Sequence, residues 1–156
     1  MAMTTGASPA STSAGLLVLR IAAGGFLLPH GLGKLFGWFG GPGIAGFADE
    51  LQHFGLPAFV PLPLLLAIAQ TVVGLLVLLG AWTRVAALAA ALFLGTTVVL
   101  NLGGGWFWMH GGIEYPLLWA LACVSLSLTG AGALSVDHGL SQRVRTAGNL
   151  RHASDR

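Results

Sequence analysis

Apolar residues run along this 156-residue chain in four long blocks parted by short polar joints. The uncharged run Pro57–Gly80 has 24 residues, Val85–Met109 has 25 and Tyr115–Val136 has 22, while Ala14–Pro29 is broken only by Arg20. A bilayer core of ~30 Å takes about 20 helical residues at ~1.5 Å each, so each block is long enough to cross it. None alternates with the period of a barrel strand, and in lipid only helices or closed barrels satisfy every backbone group. The pattern therefore predicts helices over about 14–36, 61–80, 83–102 and 113–133. Short joints make successive helices antiparallel neighbours. The expected fold is all-α: a four-transmembrane-helix antiparallel bundle.

The joints carry patterns of their own. Ile44, Phe47, Leu51 and Phe54 recur at spacings of 3, 4 and 3, with Asp49, Glu50, Gln52 and His53 elsewhere. That predicts a short amphipathic helix in the first outer loop, lying on the surface or packed as a lid, and ended by Gly55 and Pro57. The third joint, 103–112, concentrates Trp106, Phe107 and Trp108, residues that favour the headgroup depth. Two small-residue seams, Ala87/Ala91/Gly95 and Gly33/Gly37/Gly41, are expected to let helix backbones approach closely. The chain thus divides into a flexible N-terminus (1–13), a membrane domain (14–137) and a basic tail (138–156), without regular structure expected from Ser141 onward.

Composition closes off several classes of function. Hydrophobic residues make up 55% of the chain and charged residues 8%, against roughly 25% charge in soluble domains. A water-soluble fold is excluded on that ground. Nucleic acid is not an expected partner, because four of the seven Lys and Arg residues (Arg143, Arg145, Arg151, Arg156) lie in the tail, where solvation accounts for them. Arg84 at the second joint would share their side of the membrane, which makes that side cytoplasmic and places both termini there. The N-terminus lacks the basic start of a secretory leader, and Arg20 interrupts its apolar block, so the first helix is read as a retained span. Cys123 is the single cysteine, without a partner for a disulfide or a Cys-x-x-Cys exchange pair, and reads as a packing residue.

Polar groups inside the blocks are the informative ones, since insertion scales charge a central Arg about 2.5–3.5 kcal/mol. Arg20 and Gln70 are expected as buried polar helix contacts, Arg20 meeting backbone carbonyls or Ser125, Ser127 or Gln70. At the outer level, His30 and Lys34 are one turn apart, as are His110 and Glu114. A Lys34–Glu114 ion pair is the most plausible in the chain. The ligand-binding candidates are His30, Lys34, Trp106, His110, Glu114 and Tyr115, with Trp38 as a further wall. Such a pocket offers a carbonyl hydrogen-bond donor and a proton route, the requirements of quinone reduction. No catalytic residue is assigned. No metal site is assigned either, because His30, His53, His110 and Glu114 supply suitable donors at no recognised spacing.

The strings HGLGKLFGWFGGPGIAGFADEL, GLLVLLGAWTRVAAL and GGIEYPLLWALACVSLSLTGAGALSVD resemble the DoxX family of small bacterial membrane proteins, in order and over roughly residues 16–137. The resemblance implies a four-helix bundle in the bacterial inner membrane. It also implies kinship with small subunits of quinol oxidase or thiosulfate:quinone oxidoreductase systems and with thiol-redox or oxidative-stress complexes. It carries no catalytic residues across. In the family's E-x-x-x-G-L-L-L-L-L-G pattern the acidic position falls on Gln70, a neutral amide that cannot exchange a proton. The expected function is a membrane subunit of a quinone-linked or thiol-redox system, binding quinone or a partner oxidoreductase and not catalytic alone. A membrane scaffold or assembly protein without a small-molecule site is the alternative. Expected companions are the lipid bilayer, a membrane redox partner and a second copy of the chain.

Overall fold

A computed structural model describes residues 8–154. The order is α1 (Pro9–Arg20), a π-helical turn (Ile21–Gly25), α2 (Phe26–Phe36), α3 (Gly43–His53), α4 (Leu62–Leu79), α5 (Thr83–Leu100), α6 (Glu114–Thr129) and α7 (Val136–Ser154). No strand occurs among the described residues. Among the described residues three helices are long and apolar enough to cross a membrane: the continuous rod Pro9–Phe36, then Leu62–Leu79 and Thr83–Leu100. The fourth apolar helix, α6, has 16 residues, about 24 Å at helical rise.

The first rod starts five residues before the expected position because Ser8 caps it, accepting the Ser11 N–H at 3.1 Å, and Pro9 sits at the first helical position, where its missing N–H costs nothing. Its middle widens into a π turn at Ile21–Gly25. Pro29 inside α2 cannot donate to the carbonyl four residues back, and the small residues Ala22–Gly25 tolerate the wider winding. Gly24 lies in this turn against α4, where a Cβ would collide with Gly74 and Val77. Gly31 meets Thr71 in the same way. The glycine contacts between the first rod and α4 are thus Gly24 and Gly31, not the expected Gly33/Gly37/Gly41 series. Gly33 and Gly41 do touch, but they fold the first joint back over the end of α2.

The core is built from small side chains. Ala86, Ala87, Ala90 and Ala91 of α5 pack with Ala120, Cys123 and Leu126 of α6 and with Ala23, Leu27 and Val77. The expected seam holds at Ala87 and Ala91, whereas nothing lies within 4 Å of the Cβ position at Gly95. Outward-facing Val18, Leu65, Val72, Leu88, Leu92, Leu118 and Leu128 remain exposed, which is the inverse of a water-soluble helix bundle. A second, smaller core seats Phe47 and Leu51 of α3 on Ala67 of α4, with Leu35 and Ile44 beside them.

The tail departs from expectation. Residues expected to lack regular structure beyond Ser141 instead continue α7, Val136–Ser154. Ser135 accepts the His138 N–H at 3.2 Å and starts the helix, and Asp137 in the first turn complements the helix dipole. Composition alone hid this, because the helix gains its start from caps and not from a buried face.

Candidate functional site

Lys34 rises from the last turn of α2 and is half-buried. Its Nζ donates to Gln70 Oε1 at 3.2 Å, on α4. The ammonium sits 4.1 Å from the ring centre of Phe47 on α3 and 5.6 Å from that of Phe93 on α5. Four helices therefore converge on one cation. The ring faces carry negative charge density that favours an ammonium, more so where water is scarce. Gln70 is buried, and Lys34 gives its oxygen the hydrogen bond that lipid could not.

Above Lys34 opens a cleft of about 450 Å³, bounded by Pro29, His30, Lys34, Trp38, Pro42 and Glu50, with Gly33, Phe39, Gly40 and Gly41 completing it. Its glycine wall is the joint folded back on Gly33. Phe39 there adopts φ 57°, a left-handed conformation that a bulky residue rarely takes. His30 lies at the rim, its ring 5.3 Å from that of Trp119 on α6. Trp119 in turn donates its indole N–H to the Ala23 carbonyl at 2.8 Å, within the π turn. A carbonyl of the π turn thus holds the indole, and the indole supports the imidazole at the cleft.

The other candidates fall elsewhere. The Lys34–Glu114 pair does not form: Lys34 is engaged by Gln70 and the phenylalanines, and Glu50 is the carboxylate of its cleft. Glu114 opens α6, where its charge complements the helix N-terminus, and its N–H bonds the Trp106 carbonyl at 3.1 Å. Tyr115 stacks on Trp108 at 5.6 Å with planes 17° apart. Trp106 and His110 are exposed in the third joint, outside the cleft. Equal depth at two helix ends does not fix which way a joint folds. Among the described residues no three His, Cys, Asp or Glu groups gather as metal donors.

A second polar cluster lies at the opposite end. Arg20 is 2% exposed, and its Nη1 donates to the Ala131 carbonyl at 3.0 Å, in place of Ser125, Ser127 or Gln70. Its Nε has no partner among the described residues. Gly80, at φ 69°, leaves the room that the guanidinium fills. Beside it Asp137 accepts the Trp82 N–H at 2.7 Å, the Thr83 N–H at 2.9 Å and the Thr83 hydroxyl at 2.7 Å. It thereby caps α5 from the far end of the chain. Burial alone would raise the Asp137 pKa, but the bonds from Thr83 and Trp82 and the charge of Arg20 outweigh it, so the carboxyl titrates below the ordinary range. Asp137 was not singled out from sequence. Its signal was available only as an acid just past the last apolar block, a position that solvent explains equally well.

The model of the DoxX family matches residues 15–111, which contain Arg20, the whole Lys34 cleft and Thr83. No curated protein and no solved structure matches the chain.

Proposed function

The chain belongs to the DoxX family, and from that premise we propose that it is a membrane subunit of a quinone-linked or thiol-redox system that holds a quinone headgroup in the Lys34 cleft. The observation that carries this reading is the Lys34 ammonium, desolvated between Phe47 and Phe93 and facing a cavity of about 450 Å³. An ammonium so placed donates to a carbonyl oxygen and stabilises negative charge developing there. His30 at the rim and Glu50 at the same cleft supply an imidazole and a carboxylate, side-chain types that relay protons. Gln70 orients Lys34 and moves no proton. Bound quinone would supply the electron-accepting chemistry, and an oxidoreductase partner the electrons.

In this reading α6 completes a four-span antiparallel bundle in the bacterial inner membrane, with α3 covering the outer end. Arg84 stands beside Gly130, at the end from which α7 and its arginines leave. That shared end is the cytoplasmic one by the positive-inside rule, and it carries both termini. The alternative of a scaffold draws on the third joint, where Trp106, Phe107, Trp108 and Met109 are each more than half exposed.

Purification in mild detergent followed by extraction and chromatography of bound quinone tests the proposal. Wild type and Glu114→Ala are expected to retain quinone, and Lys34→Ala to lose it. Absence of quinone from all three, with a membrane protein co-eluting, would favour the scaffold.

A further inference from the structure

We propose that α7 is an interfacial helix that binds the anionic headgroup layer of the membrane in which the bundle sits. The argument starts from where the helix begins. The Asp137 N–H bonds the Gly80 carbonyl at 2.9 Å, and its carboxylate caps the first turn of α5. The start of α7 is therefore pinned level with the ends of two apolar helices, at the depth where headgroups lie. Val136, Leu140 and Val144 repeat every four residues and fall on one side. They are 43%, 53% and 73% exposed, so no part of the bundle covers them. Arg143 and Arg145 are exposed on the same two turns, while the acid of this helix, Asp137, is engaged by α5. Free positive charge thus accompanies an apolar row on a helix tethered at the boundary. That is the arrangement with which amphipathic helices lie in the plane of an anionic interface, apolar side down.

The test uses the full chain with Cys123→Ala and an environment-sensitive fluorophore on Leu140→Cys or, as control, Ser141→Cys. The proteins are placed in nanodiscs of phosphatidylcholine alone or with phosphatidylglycerol, and iodide quenching is measured. The Leu140 label is expected to become shielded, with blue-shifted emission, when phosphatidylglycerol is present, and the Ser141 label to stay accessible. Arg143→Gln and Arg145→Gln should each weaken the shielded population about fivefold, and concentrated salt should do the same. Equal accessibility of the Leu140 label in both lipids overturns the proposal, as does shielding indifferent to headgroup charge. Shielding that appears only with two copies per disc overturns it in favour of self-association. Should Cys123→Ala fail to fold, the labels go into the parent chain, whose Cys123 is fully buried.

Discussion

The two ends of the bundle each hold a basic side chain of the same helical rod, and they use it in opposite ways. Arg20 is enclosed: a carbonyl binds it, Gly80 makes room for it, and a carboxylate lies beside it. Lys34 is braced by Gln70 and two aromatic rings, yet faces an open cleft. A polar group closed in on every side serves the fold, whereas one held in place before an open cleft is available to a ligand. Burial of charge in lipid is costly in either case, so what distinguishes the two is the unfilled space in front of the group.

The comparison breaks most visibly at the Arg20 end. Arg20→Ala leaves the Ala131 carbonyl unpaired and a void beside Gly80, and is expected to lower stability in detergent by about 2–4 kcal/mol, read as a fall in thermal midpoint. Asp137→Ala removes the cap on α5 and should cost about 1–2 kcal/mol by the same measurement. The folded-state pKa of Asp137 is depressed, so its contribution is complete above the unfolded value of about 3.9 and fades as pH falls through the lower folded value. Asp137→Asn should therefore flatten the acid limb of the stability profile, and an unchanged limb would show that Asp137 is not the group titrating. Lys34→Met keeps the stem and loses the charge; it leaves the buried Gln70 oxygen unpaired and should lower stability by about 1–2 kcal/mol, less than Arg20→Ala, while abolishing quinone retention. Glu114→Gln should change stability by only about 0.5 kcal/mol and leave retention intact. Equal losses of stability at Lys34 and Arg20 would erase the distinction between the two ends.

The helical class and the three long spans were legible because lipid imposes a length and an apolar run on anything that crosses it. The boundaries of α4 and α5 were legible too, marked by Pro61 and Gly80 and by Thr83. Within the site, His30 and Lys34 could be joined because their spacing lies on one helix. Their remaining neighbours could not. Phe47, Phe93 and Trp119 look like any membrane aromatic until packing places them, and Glu50 reads as the wet side of a surface helix. Lys34 and Glu114 could not be kept apart from sequence, because equal height along two helices leaves rotation about each undetermined. Asp137 was invisible because its partners lie 54 and 55 residues away, beyond any local pattern.

The π turn at Ile21–Gly25 stands between Arg20 and Lys34 on a single rod. A turn wound in this manner accommodates an extra residue without lengthening the helix much, so it resets the angular bearing of everything beyond it. Deleting one residue there would swing His30 and Lys34 by about 100° around the axis, while Arg20 kept its seat. The same length of chain therefore carries two independently aimed instruments, and the offset between them is set by an isoleucine, two alanines and two glycines.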